Sequence, residues 1–71
     1  MALADLVRML NQISANFSYE DRTRAAVDVA LHLRSFWTPA MRDEIVEHLH
    51  AGATDLSEVS CLALAQLEQM A

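Results

Sequence analysis

Gly52 and Pro39 are the single glycine and the single proline in 71 residues. A chain so short of turn residues has few places to reverse as a β-sheet must, and Ala, Leu, Met, Arg and Glu, all good helix formers, dominate the remainder. Helix is the expected state. The two exceptions read as punctuation. Thr38 before Pro39 is a start signal, because a threonine hydroxyl caps orphan amides and proline at the first helical position has no N–H to leave unmet. Gly52 is the expected left-handed stop of the same helix.

Apolar spacing supplies the other boundaries. Leu3, Leu6, Val7, Leu10, Ile13 and Phe17 recur at offsets of three and four, with Asp5, Arg8, Gln12 and Asn16 opposite, which predicts an amphipathic helix from Leu3 to Asn16. Ser18, three residues before Asp21, has the layout of an N-terminus, so a second helix is expected from about Tyr19 to Phe36. Its main stripe is Ala26, Val29, Ala30, Leu33, Phe36 and Trp37, while Val27 and Leu31 lie roughly 100–140° away from it. The third helix is expected over Pro39 to Ala51, with Met41, Ile45 and Leu49 as a narrow stripe. Ser57 then caps a fourth, from Glu58 to about Gln69, with Leu56 placed to staple against Cys61. The fourth is apolar on nearly every side through Val59, Leu62, Ala63, Leu64, Leu67 and Met70. The expected fold is all-α, a compact bundle of four short helices forming one domain over residues 1–71.

A domain of this size buries only about 60% of the surface its unfolded chain exposes. Apolar residues nevertheless make up 54% of this one, against ~45–50% in ordinary soluble domains. Lone Cys61 excludes an internal disulfide, and the histidine spacing fits no zinc finger. Surplus apolar surface without a staple implies a partner protein. The formal net charge of −5, with no lysine at all, gives no counterion release on a polyanion, so nucleic acid and anionic membrane are excluded as partners, as is a helix-turn-helix regulator. The opening segment lacks the order of a signal peptide, and no apolar run approaches the ~18 residues of a membrane span. A cytoplasmic location is expected.

Catalytic constellations are absent. His48 and His50 point about 160° apart on a helix and cannot share an ion, and Cys61, between Ser60 and Leu62, reads as a small buried hydrophobe. No glycine-rich loop exists to cradle phosphate. Met9, at the edge of its stripe, is a candidate for an adaptable contact. The informative stretch is LHLRSFWTPAMRDEI, residues 31 to 45. There His32 and Arg34 project off the apolar stripe, Trp37 is the chain's only indole, and Arg42 falls in the first turn of a helix, where a cation opposes the dipole. Its guanidinium offers a planar fork for a carboxylate, a phosphate or backbone carbonyls. The plainer reading of Arg34 and Arg42 is pairing with Asp28, Asp43 or Glu44, which contributes little at a surface.

Arg8-Met9, Asn11-Gln12-Ile13, Phe17, Val29-Ala30, His32-Leu33-Arg34, Phe36-Trp37, Pro39, Met41-Arg42, Ile45, Gly52 and Leu56 together resemble the delta subunit of cytoplasmic, molybdenum-containing, NAD-dependent formate dehydrogenases. The resemblance spans about residues 6 to 57, and departs from the family pattern at Leu10, where a small residue is common, and at Glu58, where proline is. It implies a small accessory subunit, itself neither enzyme nor cofactor carrier, bound to the large molybdopterin-bearing catalytic subunit of a complex that holds a molybdenum cofactor, iron–sulfur clusters, FMN and NAD. On that reading Asn11, Gln12, His32, Arg34, Trp37 and Arg42 form the partner-binding patch. The alternative is a maturation chaperone that handles a nucleotide or the molybdenum cofactor transiently through His32, Arg34 and Arg42.

Overall fold

The computed structural model describes residues 1–17 and 21–70. These form four helices and no strand: α1 (Leu3–Asn16), α2 (Arg22–Phe36), α3 (Pro39–His50) and α4 (Glu58–Met70). Three of the expected starts coincide with the observed ones. The start of α2 differs. Asp21 has an extended backbone and its carboxylate accepts hydrogen bonds from the Thr23 and Arg24 amides at 3.0 and 3.2 Å, so Asp21 is the N-cap and the helix begins at Arg22 rather than Tyr19. An acid at this position both satisfies orphan amides and meets the positive end of the dipole. Ser18 and Tyr19, on which the earlier start depended, lie outside the described residues.

The signals around α3 and α4 operate as their chemistry requires. Thr38 Oγ1 accepts from the Met41 amide at 3.2 Å, with Pro39 at the start of the helix. Past the end of α3, Gly52 has φ +87°, a value an L side chain rarely adopts. Ser57 Oγ accepts from the Ser60 amide at 3.2 Å and thereby caps α4.

The core is built on the packing of α2 against α4, the most extensive helix pair in the fold. Ala25, Ala26, Val29 and Ala30 on α2 and Ser60 and Ala63 on α4 are essentially inaccessible to solvent. Small side chains on both helices permit the close approach that places larger ones around them. Leu6, Leu10, Leu33, Ile45 and Leu64 fill the remaining space, each with 0% exposure. Full burial of each such side chain is worth roughly 1.5–3 kcal/mol. The radius of gyration is 10.7 Å, against about 11 Å expected for a folded chain of this length.

Packing decides the cover of α4 and the place of Phe36. Residues 60, 63, 64 and 67 of the all-round apolar α4 are buried within the chain, so the main cover for this helix is α2. Phe36, placed on the core stripe by periodicity, is instead 75% exposed. It ends α2, and the extended backbone of Trp37 that follows carries the indole into the core, where it is 6% exposed. Among the described residues, the large apolar side chains left outside are Met1, Leu31, Phe36 and Leu62. None of the helices is long and apolar enough to cross a membrane among the described residues.

Candidate functional site

Where α2 turns into α3, the chain brings two arginines to one groove. Arg34 is in the last turn of α2, a position that favours a cation at the negative end of the dipole. Arg42 is in the first turn of α3, its amide donating to the Thr38 carbonyl at 3.1 Å, and no acidic residue shares that turn to offset the unfavourable dipole. The last turn of α4 closes the other side. The resulting groove of about 260 Å³ is lined by Arg34, Arg42, Asp43 and Glu68 and by apolar Pro39, Val46, Leu67 and Met70.

The charge state of this groove sets it apart. Arg8 lies 3.3 Å from Asp5, Arg22 reaches both oxygens of Glu58 at 2.7 and 2.8 Å, and Arg24 lies 3.5 Å from Asp28. Among the described residues neither Arg34 nor Arg42 has a carboxylate within ion-pair distance, although Asp43 and Glu68 line the same groove. Glu68 instead meets His50 Nε2 at 2.8 Å. Arg42 Nε is shielded from solvent and has no hydrogen-bond partner. A buried donor left unmet costs about 1–3 kcal/mol, more when charged, and native structures hold few of them.

The patch expected from the sequence separates into distinct places. His32 is two residues before Arg34 and so points roughly 160° away from it around the helix. Its ring lies 4.8 Å from Phe36 and 6.1 Å from Phe17, centroid to centroid, in tilted contacts on the other flank of α2. Trp37, on the apolar stripe and also in the partner patch of the sequence reading, is a core residue, and Phe36 is the exposed aromatic. Gln12 is exposed on α1.

Asn11 is engaged within the chain. Its Nδ2 donates to the Asp55 carbonyl at 2.8 Å, and its Oδ1 accepts from the Ser57 amide and from Ser60 Oγ, both at 2.9 Å. Ser60 Oγ also receives the Ser57 hydroxyl at 2.9 Å and sits 2.8 Å from Ser14 Oγ. Ser60 has one proton, directed at Asn11, so Ser14 donates in the buried serine pair. The network ties α1 to the cap of α4 and to the loop before it.

The histidines of α3 are similarly occupied, His48 with Asp55 at 2.8 Å and His50 with Glu68. No group of three or more His, Cys, Asp or Glu side chains is placed to hold a metal ion among the described residues. Cys61 is half-buried, its Sγ 3.9 Å from the Leu56 carbonyl.

Sequence reasoning located both arginines but missed the wall that α4 contributes, since nothing local marks Leu67, Glu68 and Met70 as neighbours of Arg42. It also missed that His32 lies between the rings of Phe17 and Phe36. The available signal was the adverse helix position of Arg42. Against known proteins, a family model described as NADH-dependent formate dehydrogenase delta subunit FdsD matches residues 5–64. No curated protein and no solved structure matches.

Proposed function

Since this chain belongs to the NADH-dependent formate dehydrogenase delta subunit family, we propose that it is a non-catalytic accessory subunit, cytoplasmic, that docks on the large molybdopterin-bearing catalytic subunit and supports assembly and stability of the complex. The molybdenum cofactor, iron–sulfur clusters, FMN and NAD belong on this reading to the partner subunits.

The observation that carries the proposal is the unmatched pair Arg34 and Arg42. In a chain of net charge −5, two cations line a groove with no carboxylate within ion-pair distance of either among the described residues, and one of them, Arg42, has a buried Nε that lacks an acceptor. Desolvated arginine with an aromatic neighbour is the combination that dominates interface energetics. The aromatic is Phe36, 75% exposed at the end of the helix that carries Arg34. A partner gripping this end of α2 meets Arg34 on one flank and Phe36 on the other. His32 braces the Phe36 ring from behind, Trp37 anchors the corner from inside, and Gln12 remains available on α1. Asn11 serves the docking face indirectly, by holding the fold.

The test is recovery of the catalytic subunit with a tagged copy of this chain from its native cell. Phe36→Ser and Arg42→Ala each lower recovery about tenfold or more, in line with hot-spot truncations. Wild-type recovery with both substitutions would remove the basis for this docking face.

A further inference from the structure

We infer that the groove between Arg34 and Arg42 is a receptor for one carboxylate side chain of a partner protein, presented with an adjacent apolar side chain. The inference rests on the docking reading and names the chemistry of what docks.

Three features of the groove select this occupant. The first is donor geometry. Arg42 Nε is buried without an acceptor, so what Arg42 offers a partner is its Nη donors, and the two Nη–H groups of a guanidinium pair with the two oxygens of a carboxylate in parallel. A lone carbonyl or hydroxyl engages only one of those donors. The second is charge. Asp43 and Glu68 line the groove with Arg34 and Arg42, so the formal charge of the lining is close to balanced. Balance tolerates a monoanion that pairs directly with Arg42, and disfavours a phosphate, whose second charge faces the resident carboxylates. The third is size and polarity. About 260 Å³ falls below the ~300–1,000 Å³ typical of pockets for drug-sized ligands, which is too small for a nucleotide or a pyranopterin and suited to one or two side chains. Pro39, Val46, Leu67 and Met70 supply half of the lining, and they favour an apolar side chain next to the acid. A groove with two unpaired guanidinium groups and an apolar floor thus reads Leu-Glu or a similar pair.

The contact also explains the cost tolerated in the free chain. Placing Arg42 in the first turn of α3 opposes the dipole, and its buried Nε is unsatisfied. An anion arriving at that helix start offsets the dipole penalty.

The experiment follows the Arg42 Nε–Hε signal by NMR in the full-length, ¹⁵N-labelled protein, titrated with N-acetyl-Leu-Glu-amide, N-acetyl-Leu-Gln-amide or inorganic phosphate. The glutamate peptide produces a saturable shift at millimolar concentration, the glutamine peptide binds about tenfold more weakly or not at all, and phosphate is the weaker anion. Arg42→Lys, which keeps the charge and removes the fork, loses the preference for glutamate over glutamine; emission of buried Trp37 verifies that this variant is folded. Arg34→Gln weakens the glutamate peptide without removing its Arg42 signal. No saturable shift, equal binding of both peptides, or tighter binding of phosphate each overturns the inference. Phe36→Ser does not alter the groove. If it releases the chain from the complex while the peptide arm fails, the docking reading stands and only the carboxylate assignment falls.

Discussion

Replacing Asn11 by alanine separates a side chain that holds the fold from one that holds a partner. The substitution removes two largely exposed hydrogen bonds, to the Asp55 carbonyl and from the Ser57 amide, each worth about 0.5–1 kcal/mol net. It also removes the acceptor of Ser60 Oγ, which is 0% exposed. A stranded hydroxyl there costs about 1 kcal/mol, the low end of the usual range, because it can rotate toward Ser14 Oγ at 2.8 Å. The total is roughly 2–3 kcal/mol, a large share of what a chain this short holds in reserve, since stability runs at ~0.05–0.15 kcal/mol per residue. Urea unfolding followed by far-ultraviolet circular dichroism and by Trp37 emission measures it directly. Each kcal/mol also lowers the thermal midpoint by ~4–8 °C at this size. Ser60→Ala added to Asn11→Ala removes the stranded group, so the double variant is less destabilised than the sum of the singles by about 1 kcal/mol. An Asn11→Ala loss below ~0.5 kcal/mol, or strict additivity of the pair, refutes the network as the tie between α1 and α4.

Two further substitutions probe the frame that carries the groove. Gly52→Ala meets no atom within 4 Å of the added Cβ, so its cost is that of forcing φ +87° on an L residue, about 1 kcal/mol; the same unfolding assay reads it, and a neutral result removes the argument for a left-handed stop. Leu64→Ala, at 0% exposure in the core on α4, costs about 2–5 kcal/mol, and the chain should lose cooperative thermal unfolding at the upper end of that range.

How far the site was legible varies residue by residue. The dipole argument isolated Arg42 without any tertiary information, because Thr38 and Pro39 set the helix start to the residue. The apolar stripe placed both Phe36 and Trp37 toward the core, and only Trp37 is there, since a 3.6-residue period does not anticipate that the helix ends between them. Asn11 resembled a surface polar group because its partners, Asp55, Ser57 and Ser60, are more than forty residues away. His32 and Arg34, neighbours in a motif, were grouped as one patch although helical geometry sends them to opposite flanks.

The amino-acid sequence alone determined where helices begin and end and which faces are apolar, because caps, proline, the left-handed glycine and the period of hydrophobic residues act over a few bonds and need no distant partner. It also determined the acidic charge and the placement of Arg42 against a dipole. Only the tertiary structure decided that small residues on α2 and α4 bury the surface of α4, that Trp37 is buried while Phe36 is left outside, and that Arg34 and Arg42 share a groove walled by the end of α4. Those outcomes depend on the order and angle in which helices pack, and packing is settled by the summed fit of side chains far apart along the chain.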